Sequence, residues 1–271
     1  MYPNREVFSH APLALVTCEV RFTDSPRLRQ QDTLDAVAIK LEERFPLSTP
    51  QTNVTFNVTN VGPGVLPQVT QERRVVLTNT AKTESVTITP TSFICETIAY
   101  REFDDFRVNV TAVCEALIAA NVRPALVRVG LRYLDEVRVM EPITDVRAWG
   151  KWIDASVIRP LTIGPDDVAV LNAQGLVTFD LGDGNGLTFQ YAALNQSSVV
   201  QPQLLNRRKF EPGPFFVLDF DGFRDFNGED VVRLDADEVT NVLTAVHGPV
   251  GAAFQRAITE DARNLFRGAT A

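Results

Sequence analysis

A chain of 271 residues with a net charge of −8 and 45% hydrophobic residues has the composition of a globular protein, and its acidity disfavours nucleic acid as a partner. No apolar run reaches the roughly 18 residues that a membrane-spanning helix needs. The first sixteen residues lack the basic start and apolar stretch of a signal peptide, so we expect a cytoplasmic protein with no membrane partner.

The first half of the chain predicts strand, helix, three strands and helix. An apolar run at 13–23 indicates a strand, and residues 32–45 carry apolar side chains at helical spacing up to Pro46. Residues 46–68 are rich in Pro, Asn, Thr and Gly and predict a long excursion with one short strand near Val54. Strands are predicted at 70–79, 84–90 and 92–99, and Asp104 and Asp105 begin a second helix.

The second half predicts the same order. A strand at 125–138 is followed by a helix, because four apolar residues have helical spacing: Val146, Trp149, Trp152 and Ile153. Strands are expected at 174–181 and 186–194 around the turn sequence GDGNG, and another at 215–221 after a polar excursion at 195–214. Residues 235–267 predict helices interrupted at Gly248-Pro249.

Two segments of these halves resemble each other. ALVTCEVRFTDSPR (14–27) and ALVRVGLRYLDEVR (125–138) share six residues at an offset of 111, and each begins the same order of elements. We therefore predict an internal duplication, with pseudo-repeats at 1–121 and 122–271 in one continuous domain. The expected class is α+β: a largely antiparallel sheet with helices packed on one face.

Alternation along the two matching strands assigns their faces. The predicted core sets are Val16, Cys18, Val20 and Phe22 in the first copy and Val127, Val129, Leu131 and Tyr133 in the second. The opposite, open face receives the candidate binding residues Glu19, Arg21, Arg128 and Arg132. Two interpretations stay open: cross-strand ion pairs on a solvated face, or a guanidinium cluster that recognises a carboxylate, a phosphate or an acidic peptide.

Several stretches also support a family resemblance. They are the opening YPN, LVTCEVRF (15–22), YREFDDF (100–106), RVGLRY (128–133) and VHGPVGAAFQRAITEDAR (246–263). Together they resemble a sporadically distributed family of uncharacterised bacterial proteins, with RVGLRY as the most specific part. The resemblance implies a soluble bacterial protein with an accessory role, operon-linked or in defence, and supplies no catalytic residue.

The motifs that could carry chemistry are incomplete. FFVLDFDGF (215–223) imitates a phosphatase-type D-x-D-G motif, but no Thr follows and no further βα units remain, so a strand ending in a polar loop is favoured. His10 and His247 are the only histidines, without a nucleophile elbow. The three cysteines have no metal-ligand spacing and are expected to be buried thiols. We predict no catalytic residue, no metal and no cofactor.

The one dense basic run is Arg207, Arg208 and Lys209, in the second excursion. Either it is solvated loop charge, or it contacts an acidic partner or a phosphate. The sequence favours a non-enzymatic binding module that acts on another protein or associates with itself. The alternatives are a sensor or enzyme that holds an anionic small molecule at Arg21 and Arg132, and, with less support, a nucleic-acid-binding saddle.

Overall fold

The fold is α+β, built on a nine-stranded sheet in which every neighbouring pair is antiparallel. The structure, a computed structural model, describes residues 6–57, 68–165, 167–170, 172–200, 204–228 and 230–268; for 50–57 and 68–73 it describes the backbone. The opening YPN therefore lies outside the described residues.

The strands are β1 (Leu13–Phe22), β2 (Leu47–Asn57), β3 (Gln68–Thr78), β4 (Glu84–Ile88), β5 (Ser92–Thr97), β6 (Leu126–Val137), β7 (Ala173–Gly182), β8 (Asn185–Gln196) and β9 (Gly213–Asp225). Their order in the sheet is β2-β3-β4-β5-β1-β6-β9-β8-β7. The helices are α1 (Gln31–Leu41), α2 (Phe103–Ala119), α3 (Ala155–Ile158), α4 (Ala236–Ala257) and α5 (Glu260–Phe266).

The two halves of the chain meet at the central pair β1–β6. In each half the first strand pairs with the last, β1 with β5 and β6 with β9, and the other strands follow outward. The β1–β6 register places Glu19 opposite Gly130, which is also the pair that the 111-residue offset matches. The halves differ in content, since four strands follow β1 within the first and three follow β6, so the duplication stays a prediction.

One face of the sheet holds the core beneath α1, α2 and α4. The predicted inward residues of β1, together with Val129, Leu131 and Tyr133 of β6, are buried there. Val127 is the exception, with 40% of its surface exposed. The register shifts between Arg21 and Phe22, so Val127 is the extra residue of a bulge and Leu126 takes the buried position.

Three sequence predictions about elements were wrong. A strand of eleven residues, β2, replaces the short strand expected near Val54, and residues 58–67 of that excursion lie outside the described part. The helix expected around Trp149 is a 3-10 turn at Val146–Lys151 followed by α3, because the Asp154 side chain accepts from Ser156 N and begins a new helix.

The third error concerns the Gly248-Pro249 break. Helix α4 continues through it, since Val246 and Val250 both pack into the core and hold the two sides in line. Proline removes only one backbone donor, and burial of the apolar stripe outweighs that loss. Among the described residues, no helix has the length and apolarity that crossing a bilayer requires.

Candidate functional site

The predicted binding residues lie on the sheet face opposite the helices. Register pairs Arg21 with Arg128 and Thr17 with Arg132 across β1 and β6. Glu19, Arg21 and Arg128 therefore cluster around the Glu19–Gly130 pair. The two arginines that the repeat matches, Arg21 and Arg132, are separated by four residues along the strands, about 14 Å between Cα atoms.

Strand β9 supplies a row of acids beside these arginines. Arg132 donates Nε to Asp219 Oδ1 at 2.7 Å and Nη2 to Oδ2 at 2.5 Å, a bidentate pair. Arg128 donates Nη2 to Asp221 Oδ2 at 2.9 Å and Nη1 to Asp225 Oδ1 at 3.0 Å. The strand reaches Asp225, beyond the predicted 215–221, so Gly222 and Phe223 are sheet and not the polar loop that we expected.

Arg128 has the most constrained guanidinium of the group. Its Cζ lies 3.7 Å from the centroid of the Phe223 ring, which adds a cation–π contact to its two ion pairs. Glycine at position 130 leaves room for the Asp221 carboxylate beside Arg128, because a Cβ at this position would lie 3.3 Å from Asp221 Oδ1. Burial raises the pKa of Asp221 more than the Arg128 charge lowers it.

We call these residues the ion-pair face: Glu19, Arg21, Arg128, Arg132, Asp219, Asp221 and Asp225. It holds four carboxylates and three guanidiniums. Arg21 donates to Glu19 at 2.8 Å on its own strand. The side chains of Arg21 and Arg132 keep 55% and 50% of their surface exposed, so the face is ordered by ion pairs yet open to solvent.

The far end of the same sheet face is covered by the chain itself. Residues 197–210, here the crossing segment (described at 197–200 and 204–210), run from β8 to the β3–β4 turn, where Asn206 N donates to Lys82 O at 2.7 Å. Val200 packs against Ala14 and Leu134. The described residues of the crossing segment, within the predicted 195–214 excursion, therefore cover one end of the open sheet face.

Glu136 holds the crossing segment in place. Its buried carboxylate accepts from Arg207 Nη2 at 2.8 Å, from Arg138 Nη2 at 2.9 Å and from Ser198 Oγ at 2.5 Å. Burial opposes ionisation, but these hydrogen bonds outweigh it and lower the pKa of Glu136 to about 2. Arg207 is thus turned inward, with 12% of its side chain exposed, whereas Arg208 and Lys209 of the predicted basic run are exposed.

A second polar site, which the sequence analysis missed, lies on the helix side of the sheet. A cavity of about 140 Å³ opens between the N-terminal segment, the β5–α2 loop, β6 and α4. Asp135 of β6 lines it and is 4% exposed. Among the described residues no side chain forms a hydrogen bond or ion pair with this carboxylate. Burial, reinforced by the nearby Asp219 charge, raises its pKa to about 8.

One wall of this cavity is formed by three aromatic side chains with polar groups, those of Tyr100, Tyr133 and His247. The Tyr100 and Tyr133 hydroxyls are 3.0 Å apart, and Tyr133 Oη lies 3.1 Å from His247 Nδ1. The His247 ring stacks on Phe103, with centroids 4.1 Å apart and planes 4° from parallel. His247 sits in the middle of α4, not at a helix end as its Gly-Pro neighbours indicated, so its ring reaches the sheet.

The signal for this site was present in the alternation of β6. Asp135 has the same parity as Leu131 and Tyr133, which places a carboxylate on the core face. A charged residue at a core position is costly unless it is paired or functional. No sequence pattern could have predicted that Tyr100 and His247 lie beside Asp135, since these residues come from distant elements.

The predicted burial of the three cysteines is confirmed. Cys18, Cys95 and Cys114 are free and buried. Burial raises the pKa of all three thiols, for Cys114 to about 12, so a reactive thiolate is disfavoured. Within the described ranges no group of three or more His, Cys, Asp or Glu side chains is arranged to hold a metal ion.

Comparison with known proteins adds no relative to this picture: no family model matches the chain, and no curated protein matches it significantly.

Proposed function

We propose that the protein is a non-enzymatic binding module that acts on a partner protein through the ion-pair face. The observation that carries this proposal is that Arg21 and Arg132 are held by acids on the sheet and still keep about half of their side-chain surface exposed. Side chains held in place before binding lose little conformational entropy on contact, which favours recognition of a matching surface. In line with its family resemblance, the proposed setting is the cytoplasm of a bacterium, in an accessory role.

The ion pairs favour a protein partner over a small anion. Arg132 uses Nε and Nη2 on Asp219, and Arg128 uses both terminal nitrogens on Asp221 and Asp225. An anion would have to compete with carboxylates that are already bound. A protein surface that presents both signs of charge can add contacts to the outer edges of these pairs without breaking them.

The same charges disfavour nucleic acid. Affinity for phosphates comes from clustered cations that displace counterions. Here the carboxylates outnumber the guanidiniums by one, and the chain carries −8 overall. Arg208 and Lys209 stay in the proposal as secondary partner contacts because both are exposed beside the covered end of the face.

Site-specific photo-crosslinking in the native host tests this proposal. A crosslinking residue at Arg21 reports on the ion-pair face, and one at Ile39 of α1, which is 70% exposed, serves as the matched control on the helix layer. We expect a discrete adduct from position 21 and none from position 39. An adduct of twice the chain mass would identify the partner as a second copy.

Absence of an adduct at position 21, or equal adducts at both positions, would count against the proposal. The exchange at Arg21 is suitable because its exposed ion pair with Glu19 contributes little to stability, so the variant should fold.

A further inference from the structure

The cavity at Asp135 has the features of a ligand site that is separate from the ion-pair face. A nearly buried carboxylate lines a solvent-connected space and, within the described part of the chain, pairs with no cation. Such a group is costly to bury, and structures retain it where something else satisfies it. The cavity lies on the helix side of the sheet, so its occupant does not depend on the proposed partner.

The charges of the lining select against anions. Glu6 is held by Arg267, which donates Nε at 2.6 Å and Nη2 at 2.8 Å. Arg101 and Glu102, both exposed, have opposite charges at the mouth. Ionised Asp135 therefore gives the inside of the cavity a negative charge. Asp219, on the neighbouring strand β9, adds to the negative potential there.

The remaining walls suit an organic cation better than a hydrated metal ion. Rings of Phe8, Tyr100, Tyr133 and Phe254 surround the space, with Leu13 and Val250. Aromatic faces attract ammonium groups, and apolar walls accommodate their carbon substituents. A metal ion would need several oxygen ligands, whereas one carboxylate dominates here. The volume admits roughly ten water-sized groups, which limits the ligand to a small molecule.

We propose that this cavity binds a small organic cation, a protonated or methylated amine, with its nitrogen on the Asp135 carboxylate and its carbon atoms against the aromatic rings.

Proton linkage gives this proposal a signature of its own. With a pKa of about 8, Asp135 is mostly neutral at pH 7 and must release a proton to pair with a cation. The other titratable groups that face it are Glu6, Tyr100, Arg101, Glu102, Tyr133 and His247. We expect the affinity for a permanently charged cation to fall about tenfold per pH unit below pH 8, with release of nearly one proton per cation bound at pH 7.

Calorimetric titration of the full chain at pH 9, 7 and 6 tests these expectations. The probes are tetramethylammonium and propylammonium chlorides; propanol and sodium propionate are the neutral and anionic counterparts, at matched ionic strength. We expect saturable binding of both cations at pH 9 and at least tenfold weaker binding of the counterparts. Buffers of different ionisation enthalpy report the released proton at pH 7.

Two variants locate the site. Asp135→Asn should weaken cation binding at least tenfold, and Asp225→Asn, which removes a carboxylate on the ion-pair face, should leave it unchanged. Absence of cation binding at pH 9, unchanged affinity in Asp135→Asn, or equal affinity for propanol would overturn the proposal. If Asp135→Asn fails to fold, the pH series on the wild type decides, because pH-independent binding would exclude the carboxylate.

Discussion

The contact between Glu136 and the crossing segment predicts a large effect from one conservative change, Glu136→Gln. The Glu136 side chain is 1% exposed, so solvent screens its ion pairs little. Lowering its pKa from 4.5 to about 2 corresponds to about 3 kcal/mol of stability at neutral pH. The amide keeps the shape of the carboxylate but leaves Arg138 and Arg207 without their counter-charge, so we expect a loss of about 3 kcal/mol.

Denaturant unfolding at several pH values measures this loss. The matched control is Glu238→Gln, since Glu238 pairs with Arg224 at a site about one-third exposed, and its loss should cost less than about 1 kcal/mol. Because the folded pKa of Glu136 is depressed, its contribution is present above pH 4.5 and disappears as the pH falls toward 2. A difference below about 1 kcal/mol at pH 7, or one that does not shrink between pH 5 and pH 2, would refute the reasoning.

Three further predictions separate the effects of close packing, ion pairing and burial. Gly222→Ala should cost about 1–3 kcal/mol in denaturant unfolding, because its Cβ would lie 2.7 Å from a valine methyl of α4, whereas Gly213→Ala, with nothing within 4 Å, should be neutral. Arg132→Ala should lower the free energy of unfolding by about 1–3 kcal/mol, since it leaves the buried Asp219 carboxylate unpaired. Arg21→Ala, at an exposed ion pair, should lower it by less than about 1 kcal/mol, and equal losses in the two variants would contradict the structure. Relative to the wild type, Asp135→Asn should gain about 4 kcal/mol of unfolding free energy between pH 5 and pH 9, because ionisation of a carboxyl whose folded pKa is about 8 destabilises the wild type as the pH rises. Equal differences in unfolding free energy at the two pH values would contradict this.

Local patterns were sufficient for the strands around the centre of the sheet. Period-two alternation identified the buried set of β1, and the strand predictions at 84–90 and 92–99 match β4 and β5 within two residues. The errors arose where packing overrides propensity. Pro249 stays inside α4, and Val127 leaves the core at a bulge that only the pairing of two distant strands creates.

The arginines of the candidate site were placed on the correct face, but their partners were not identified. Asp219 and Asp221 stood out in the sequence as an incomplete phosphatase motif, and their pairing with Arg132 and Arg128 depends on β9 lying beside β6. Likewise Arg207 looked like solvated loop charge or a partner contact. Its burial against Glu136, 71 residues earlier in the chain, follows from the path of the crossing segment.

The sequence by itself determined the fold class and which side of β1 and β6 faces the helices, because side-chain alternation in a strand is a local property. Only the tertiary structure decided what each charged side chain contacts. Strand order brings β9 to the arginines, the crossing segment covers one end of the open face, and α4 carries His247 to the Asp135 cavity. Those placements depend on residues far apart in the chain, and the energy of a charge depends on its surroundings, which local sequence does not contain.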